Sequence, residues 1–311
     1  MPSVHDLLEP AVARLRAAGS TSARLDAELL LGHVLGIDRT AVLAHPEAPV
    51  GTGQVAAFEA AVVRREAGEP VAYIRGVKEF YGLALRVDGR ALIPRPETEL
   101  LVELARDWLT TRLTAAPRGP DAAPVQVLDV GTGSGAIAVA LAVVLRRRGY
   151  GSAVRFTASD VSPDALHLAV ENAVGHGVAD VIDFQRADLL DGPGVGDGPA
   201  SSWAARADLV LANLPYIPSA VLPSLPVAAS FEPALALDGG PDGLALLRRL
   251  LTGLPAALTD DGCALLEIGG DQAAAARAAA ADAVPGWAVR VHDDLGGSPR
   301  VLEIAQAATP A

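Results

Sequence analysis

From residue 125 onward, short apolar runs alternate with helical segments, and this alternation leaves the chain few ways to fold. "VQVLDV" (125–130), "VRFTASD" (154–160), "VIDFQRAD" (181–188), "ADLVLAN" (207–213) and "CALLEIG" (263–269) have the length and composition of buried strands. Between them lie helical stretches such as "GAIAVALAVVLRRRG" and "SPDALHLAVENAVGHG", the latter with Ser162 as cap and Pro163 at its first position. Strand followed by helix, repeated, means a doubly wound, mainly parallel sheet. "WAVRVHDD" and "RVLEIAQ" break the rhythm, because only a Gly-rich connection joins them. They are expected to close the sheet as an antiparallel pair.

The first 75 residues carry no strand pattern. Leu7, Leu8, Ala11 and Leu15 fall on one face of a first helix, and "SARLDAELLLGHVLG" reads as a second, opened by Ser22 and closed by Gly36. A third helix is expected from about Thr52 to Gly68. Residues 1–75 are therefore read as a small all-helical domain, 76–97 as a hairpin linker, and 98–311 as the α/β domain. Thr98 is a candidate N-cap for the helix "TELLVELARDWLTTRL". A Pro-, Ala- and Gly-rich linker is expected at 114–124 and a surface loop at 191–203.

Composition narrows the function. The net charge of −12 argues against affinity resting on a nucleic-acid backbone. Cys263 is the one cysteine, so no internal disulfide can form, and a cytoplasmic location is expected. The longest apolar run, 136–145, is too short to span a bilayer, so no membrane partner is expected.

"LDVGTGSGAIA" (128–138) joins the first strand of the α/β region to its helix, where ligands bind in open sheets. Gly131, Gly133 and Gly135 permit a tight turn and close approach of backbone to ligand. The loop lacks the Gly-Lys-Ser/Thr ending of a phosphate loop, yet it fits the loose dinucleotide pattern. Asp129, two residues before the first glycine, suits a cation such as an amino-acid ammonium better than a pyrophosphate. Asp160 ends the next strand, where an acid can take two ribose hydroxyls. Asp-x-Gly-x-Gly-x-Gly with a second-strand acid resembles the class I S-adenosylmethionine-dependent methyltransferases.

"NLPY" (213–216) ends the strand "ADLVLAN". Asn and Pro are ordinary turn residues, but here they stand at the carboxyl end of a strand in a sheet with a glycine loop. Seven segments in register resemble the protein-(glutamine-N5) methyltransferases that modify peptide-chain release factors, the PrmC/HemK family. They are 65–103, "VLDVGTGSGAIAVALA", "ASDVSPDALHLAVENA", "ADLVLANLPYIP", "FEPALALDGGPDGLALLRRLL", "CALLEIGGDQ" and "DLGGSPRVLEI". The likeness covers nearly the whole chain and is weakest over 1–60.

The resemblance implies a seven-stranded doubly wound methyltransferase sheet behind a helical N-terminal domain. It implies methyl transfer from S-adenosylmethionine to the side-chain amide of the Gln in a release factor's Gly-Gly-Gln loop. Carried over, cofactor contacts fall on Asp129, Gly131, Thr132, Gly133, Ser134, Gly135, Asp160, Asp188 and Leu189, with Asn213 shared. Substrate contacts fall on Asn213, Leu214, Pro215 and Tyr216, of which Asn213, Pro215 and Tyr216 are the candidate catalytic residues. A monomer that binds release factors and no nucleic acid is expected.

One departure is Leu214, where the family has Pro. Asn-Leu-Pro-Tyr also resembles the site of RNA adenine-N6 dimethyltransferases, and an adenine-N6 methyltransferase is the alternative reading. Amide and adenine nitrogens share one difficulty, a delocalised lone pair. The site must therefore hold the NH₂ group in line with the methyl, water excluded. The Asn213 side-chain oxygen and the Leu214 carbonyl can accept its two hydrogens, with Pro215 stiffening the chain and Tyr216 packing on the amide plane. No general base is assigned.

Other polar residues fit quieter roles. The six histidines show no metal spacing. Cys263 reads as a core residue and Arg146–Arg148 as a solvated helix end. Glu232-Pro233 belongs either to a structural loop or to the wall of the substrate pocket.

Overall fold

The computed structural model describes residues 1–115, 123–191 and 206–306. The linker expected at 114–124 and the loop expected at 191–203 lie largely outside them. The chain divides into two compact units, one of residues 1–77 with 87–89 and 225–231, the other of the remainder.

The first unit is helical: α1 (Val4–Ala17), α2 (Ala23–Leu35), α3 (Arg39–Ala44), α4 (Thr52–Glu66) and α5 (Val71–Arg75). Val4, Leu8, Ala11, Val12 and Leu15 of α1 are buried, a stripe at helical spacing that meets Ala27, Leu30 and Leu31 of α2 in one core. Ser3 and Asp6 form a reciprocal capping box on α1. Ser22 precedes α2 but makes no cap. Its hydroxyl donates to Asp26 Oδ1 at 2.8 Å, because Asp26 is buried and needs donors. Ser20 Oγ and Arg65 Nε complete the set, each at 2.8 Å from Asp26 Oδ2. Gly36 ends α2 in the left-handed region, φ +69°.

After α5 comes a two-stranded sheet, β1 (Val77–Phe80) and β2 (Leu83–Arg86), which from Lys78 on belongs to the second unit. Tyr81 and Gly82 between them both have positive φ, +51° and +70°, as a two-residue hairpin turn requires. Next come α6 (Thr98–Ala115), β3 (Val125–Val130), α7 (Ala136–Arg147), β4 (Val154–Asp160), α8 (Pro163–Gly175), β5 (Ile182–Arg186) and β6 (Ala207–Ala212). The chain continues with α9 (Ala245–Ala257), β7 (Leu258–Glu267), α10 (Ala273–Ala283), β8 (Ala288–Asp293) and β9 (Pro299–Ala305).

The seven strands β3–β9 form one sheet of order β5-β4-β3-β6-β7-β9-β8. The first five are parallel, and β9 runs antiparallel to both β7 and β8. Alternate residues face opposite layers. Leu209 and Leu211 of β6 join the core with α6 and α7, while Val210 and Ala212 join the core with α9 and α10. Ser162 caps α8 through its hydroxyl, with the Ala165 amide at 3.2 Å. Cys263 is buried in β7, where burial pushes its thiol up to about 12, so it packs rather than reacts.

Asn172 of α8 ties three parts of this unit together. Its side chain accepts from the Arg86 amide at 2.7 Å and donates to the Arg86 carbonyl at 3.0 Å and the Ser134 carbonyl at 2.9 Å. It is buried, so removing it strands backbone groups of both the hairpin and the 131–135 loop without water. Asn172→Ala should destabilise the protein by about 2–3 kcal/mol, read as a lower urea midpoint.

Candidate active site

β3 lies between β4 and β6, and Val130 is level with Ser159 on one side and Ala212 on the other. From β3 the chain crosses to β4, and from β6 it crosses to β7 on the other side. The crevice where the crossovers diverge is the place an open α/β sheet offers a ligand. Into it run the loop 131–135 after β3, Asp160 at the end of β4, and 213–216 after β6.

Gly131, Gly133 and Gly135 all have positive φ, +70°, +56° and +79°. Close approach adds a second reason for two of them. A Cβ on Gly135 would lie 3.0 Å from Ala169 Cβ, and one on Gly131 would lie 3.0 Å from Leu214 Cδ2. The loop is pinned elsewhere by hydrogen bonds. Thr132 donates its amide to the Ser159 carbonyl at 2.8 Å and its hydroxyl to Asp129 Oδ2 at 2.6 Å. The Gly133 amide donates to Asp160 Oδ2 at 2.9 Å.

The two acids differ in setting. Asp160 receives the Gly133 amide on one oxygen and the Ser162 amide on the other, each at 2.9 Å. Burial raises its pKa and these amides work against the rise. One lone pair on each oxygen is left for the cavity. Asp129 is wholly buried behind the loop, and its Oδ1 has no partner among the described residues. Burial pushes its carboxyl up to about 6, against the pull of the Thr132 hydroxyl.

Around these groups is a cavity of about 340 Å³. Ten of the residues singled out from sequence line it: Gly131, Thr132, Gly133, Ser134, Asp160, Asp188, Leu189, Asn213, Leu214 and Pro215. Leu189 holds a left-handed backbone, φ +56°, a strained conformation for a branched side chain. Arg249 Nη2 holds the neighbouring Asp188 at 2.9 Å. Asp129, Gly135 and Tyr216 do not line the cavity.

Asn213 Nδ2 donates to Thr98 Oγ1 at 3.0 Å. Thr98 is thus not the expected N-cap: it is the first residue of α6, buried, with its hydroxyl engaged at the site. Neither Asn213 Oδ1 nor the Leu214 carbonyl accepts a hydrogen bond from a described residue. The Leu214 side chain is buried with Val130, Ala212 and the α9 leucines. Position 214 therefore gives its side chain to packing and leaves its carbonyl over.

Tyr216 is anchored by its backbone. Its carbonyl accepts from Gln272 Nε2 at 3.0 Å. The Ile217 amide donates to the Leu237 carbonyl at 3.1 Å, and the Gly239 amide to the Ile217 carbonyl at 2.9 Å. Segment 237–243 lies so close that a Cβ on Gly239 would meet the Pro215 carbonyl oxygen at 2.7 Å. Burial, then the charge of Glu267, raises the pKa of the Tyr216 phenol.

Further residues support the site through contacts that the sequence does not show. Glu232 Oε2 accepts the Ile93 amide at 3.1 Å and its Oε1 meets Arg95 Nη2 at 2.5 Å, so "FEP" fastens "IPR". Both segments also reach the cavity, through Pro233, Pro94 and Arg95. Glu232-Pro233 is thus at once a structural loop and a cavity wall. Thr98, Gln272, Gly239 and Gly243 stand in segments that the family likeness covers, and only tertiary contact reveals their tasks. Among the described residues no cluster of His, Cys, Asp or Glu could hold a metal ion.

Residues 6–76 match the family model described as the PrmC N-terminal domain. The release factor glutamine methyltransferase of Deinococcus radiodurans is 38% identical over 304 residues, which cover 98% of this chain and 99% of that protein. That of Moorella thermoacetica is 38% identical over 275 residues, 88% of each. That of Bordetella pertussis is 42% identical over 255 residues, 82% of this chain and 85% of that protein. Among solved structures, the hMettl16 catalytic domain in complex with MAT2A 3′UTR hairpin 6 aligns over 83% of each chain with a TM-score of 0.52 at 13% identity, a likeness of fold. With identities of this size over most of its length, the chain belongs to the family of release factor glutamine methyltransferases.

Proposed function

We propose that this protein transfers the methyl group of S-adenosylmethionine to the side-chain amide nitrogen of the Gln in the Gly-Gly-Gln loop of peptide-chain release factors. The observation that carries the reading is the meeting of the glycine loop, Asp160 and the Asn213–Pro215 backbone in one cavity, in a chain of this family. When bound, S-adenosylmethionine supplies an electrophilic methyl group on a sulfonium that leaves as a neutral thioether.

The residues fit that group. The 131–133 backbone makes a cradle that side chains would fill, and Asp160 offers lone pairs for two ribose hydroxyls. Leu189 and Asp188 line the part of the cavity assigned to the adenine. Asp129 stands behind the loop, outside the cavity lining, and its charge favours an ammonium on the cavity side of the loop. Thr132, Ser134 and Gly135 shape the cradle.

For the acceptor, Asn213 Oδ1 and the Leu214 carbonyl take the two amide hydrogens and aim the nitrogen. Pro215 restricts the backbone that presents them. Tyr216, whose backbone is fastened by Gln272, sets the far end of the clamp. No group here is asked to act as a general base. The rate arises from orientation and from exclusion of water. The helical residues 1–75 are assigned to docking the release factor, 76–97 to joining the domains, and 98–311 to cofactor binding and transfer. The protein is assigned to the cytoplasm, as a monomer, with proteins rather than nucleic acids as substrates.

Labelled cofactor and a release factor test the reading directly. Label should enter the factor and vanish when its Gly-Gly-Gln glutamine is replaced. Label that persists in that variant, or no label at all, overturns it. Asn213→Ala should lower transfer by about a hundredfold or more, the scale of losing one preorganised hydrogen-bonding group, while calorimetry shows cofactor affinity little changed.

Asp129 gives a pH signature. Its carboxyl lies at about 6 in the folded protein, above the ordinary 3.8, so the charged form that favours an ammonium prevails only above that pH. Cofactor affinity should strengthen from roughly pH 5 to 7, and Asp129→Asn should bind weakly with a flatter profile. In the protein without cofactor the same raised pKa costs stability as pH climbs from about 4 to 6. The difference in urea midpoint between wild type and Asp129→Asn should move against the wild type over that window.

A further inference from the structure

The Leu214 carbonyl can meet an incoming NH₂ group only while the peptide that joins Leu214 to Pro215 keeps one rotation. On the sheet side the chain is well held. Asn213 Nδ2 donates to Thr98, and the Leu214 side chain lies in the core with Val130 and Ala212. On the far side Pro215 has no N–H with which to anchor itself. The backbone beyond it needs another hold.

Gln272, the residue before α10, supplies one. Its side-chain oxygen, Oε1, accepts the Gly269 amide at 2.9 Å. Its Nε2 donates to the Tyr216 carbonyl at 3.0 Å and, over a longer 3.4 Å, to the Gly243 carbonyl. A primary amide has two N–H hydrogens, and here each has its own acceptor. The orientation is therefore fixed. Turned end for end, the NH₂ would face the Gly269 N–H, and the oxygen would face two carbonyls. Gln272 is buried, so water does not stand in for a lost partner. Gly243 and Gly269 leave room for the amide: a Cβ on the first would fall 2.7 Å from Nε2, and one on the second 3.0 Å from Oε1. One side chain thus ties together the segments that follow β6, precede α9 and follow β7.

We propose that Gln272 is a positioning residue: its amide, oriented by Gly269, holds the Pro215–Tyr216 backbone at the rotation that turns the Leu214 carbonyl toward the substrate nitrogen. This deepens the function proposed above and rests on it for its kinetic consequence. The hold on Tyr216 is independent of any acceptor.

Gln272→Glu separates a donor's task from simple packing, because it keeps the shape and replaces the NH₂ with an oxygen. Ionised, the new carboxylate sets lone pairs against the Tyr216 and Gly243 carbonyls. Protonated, it returns one donor. Gln272→Met fills the space and has no proton to return. The titratable and charged groups around position 272 are Glu267 and Tyr216, which line the same small cavity, and Asp242, Asp271 and Arg300 on the adjoining segments. Wild type and variants share all five, so the ratio of their rates cancels the titration of these groups.

The test is steady-state methylation of a release factor by the full chain at saturating cofactor. At about pH 8, Gln272→Glu and Gln272→Met should each lower kcat by roughly tenfold to a hundredfold, the scale of a misplaced reacting group. Calorimetry should show their cofactor affinity unchanged. A buried carboxyl titrates above its ordinary range, so between about pH 8 and pH 6 the Gln272→Glu rate should climb toward that of the wild type. The Gln272→Met ratio should stay flat. Wild-type kcat in either variant, an equal loss of cofactor affinity, or a Gln272→Glu ratio that does not rise on acidification overturns the proposal. A further arm uses the wild type alone, and so does not depend on either variant folding. The side-chain ¹⁵NH₂ protons of Gln272 should exchange with water at least about tenfold more slowly than those of exposed Gln54, since bonded and buried groups open rarely. Equal exchange also overturns it. A wild type that methylates no release factor counts instead against the function proposed above, and the exchange rates then decide the hold on Tyr216.

Discussion

Two parallel strands, β3 and β6, lie in register at the middle of the sheet, and the site is laid out from their carboxyl ends. Because Val130 and Ala212 are level, the loop that follows one and the tetrapeptide that follows the other begin within side-chain reach. Leu214 packs where a Gly131 side chain would have been, so each segment limits the other. The outer strands, the flanking helices and the antiparallel pair β8–β9 keep these two ends rigid. A site built on such element ends holds its geometry better than one built on loops alone.

The polar groups of the cavity are arranged in depth. Asp160 stands at the surface of the site with both oxygens already fixed by backbone amides. Asp129 stands behind it, fully buried, fixing Thr132 and keeping one oxygen unsatisfied. An orphaned carboxylate oxygen in a protein interior is expensive, and that expense is tolerated at sites where a ligand later compensates it. Glu267 is likewise buried, with one oxygen unpartnered among the described residues.

The α/β order was plain in the sequence because buried parallel strands read as unbroken apolar runs: β3 and β4 begin and end where "VQVLDV" and "VRFTASD" do. β7 begins at Leu258, five residues before the apolar "CALLEIG", because Thr259, Asp260 and Asp261 extend it with polar side chains. The short helices α3 and α5 lack the length for periodicity to show. At the site, glycines and strand-end acids announced themselves through local spacing. Thr98, Asn172 and Gln272 did not, since each works on a partner between 38 and 115 residues away. Ser22 and Thr98 looked like helix caps by type and position; a local demand from Asp26, four residues on, and a tertiary one from Asn213 engaged the two hydroxyls instead.

The closeness of segment 237–243 to the tetrapeptide sets the terms on which this enzyme could be re-aimed at another acceptor. A Cβ on Gly243 would fall 2.3 Å from the Tyr216 carbonyl oxygen, and one on Gly239 would fall 2.8 Å from Tyr216 Cα. The backbone of 215–216 thus runs in a groove of fixed width, with no slack for insertion or rerouting. Redesign has its freedom in the side chains that rim the cavity, such as exposed Leu235, while the two glycines act as a gauge that any library must keep constant.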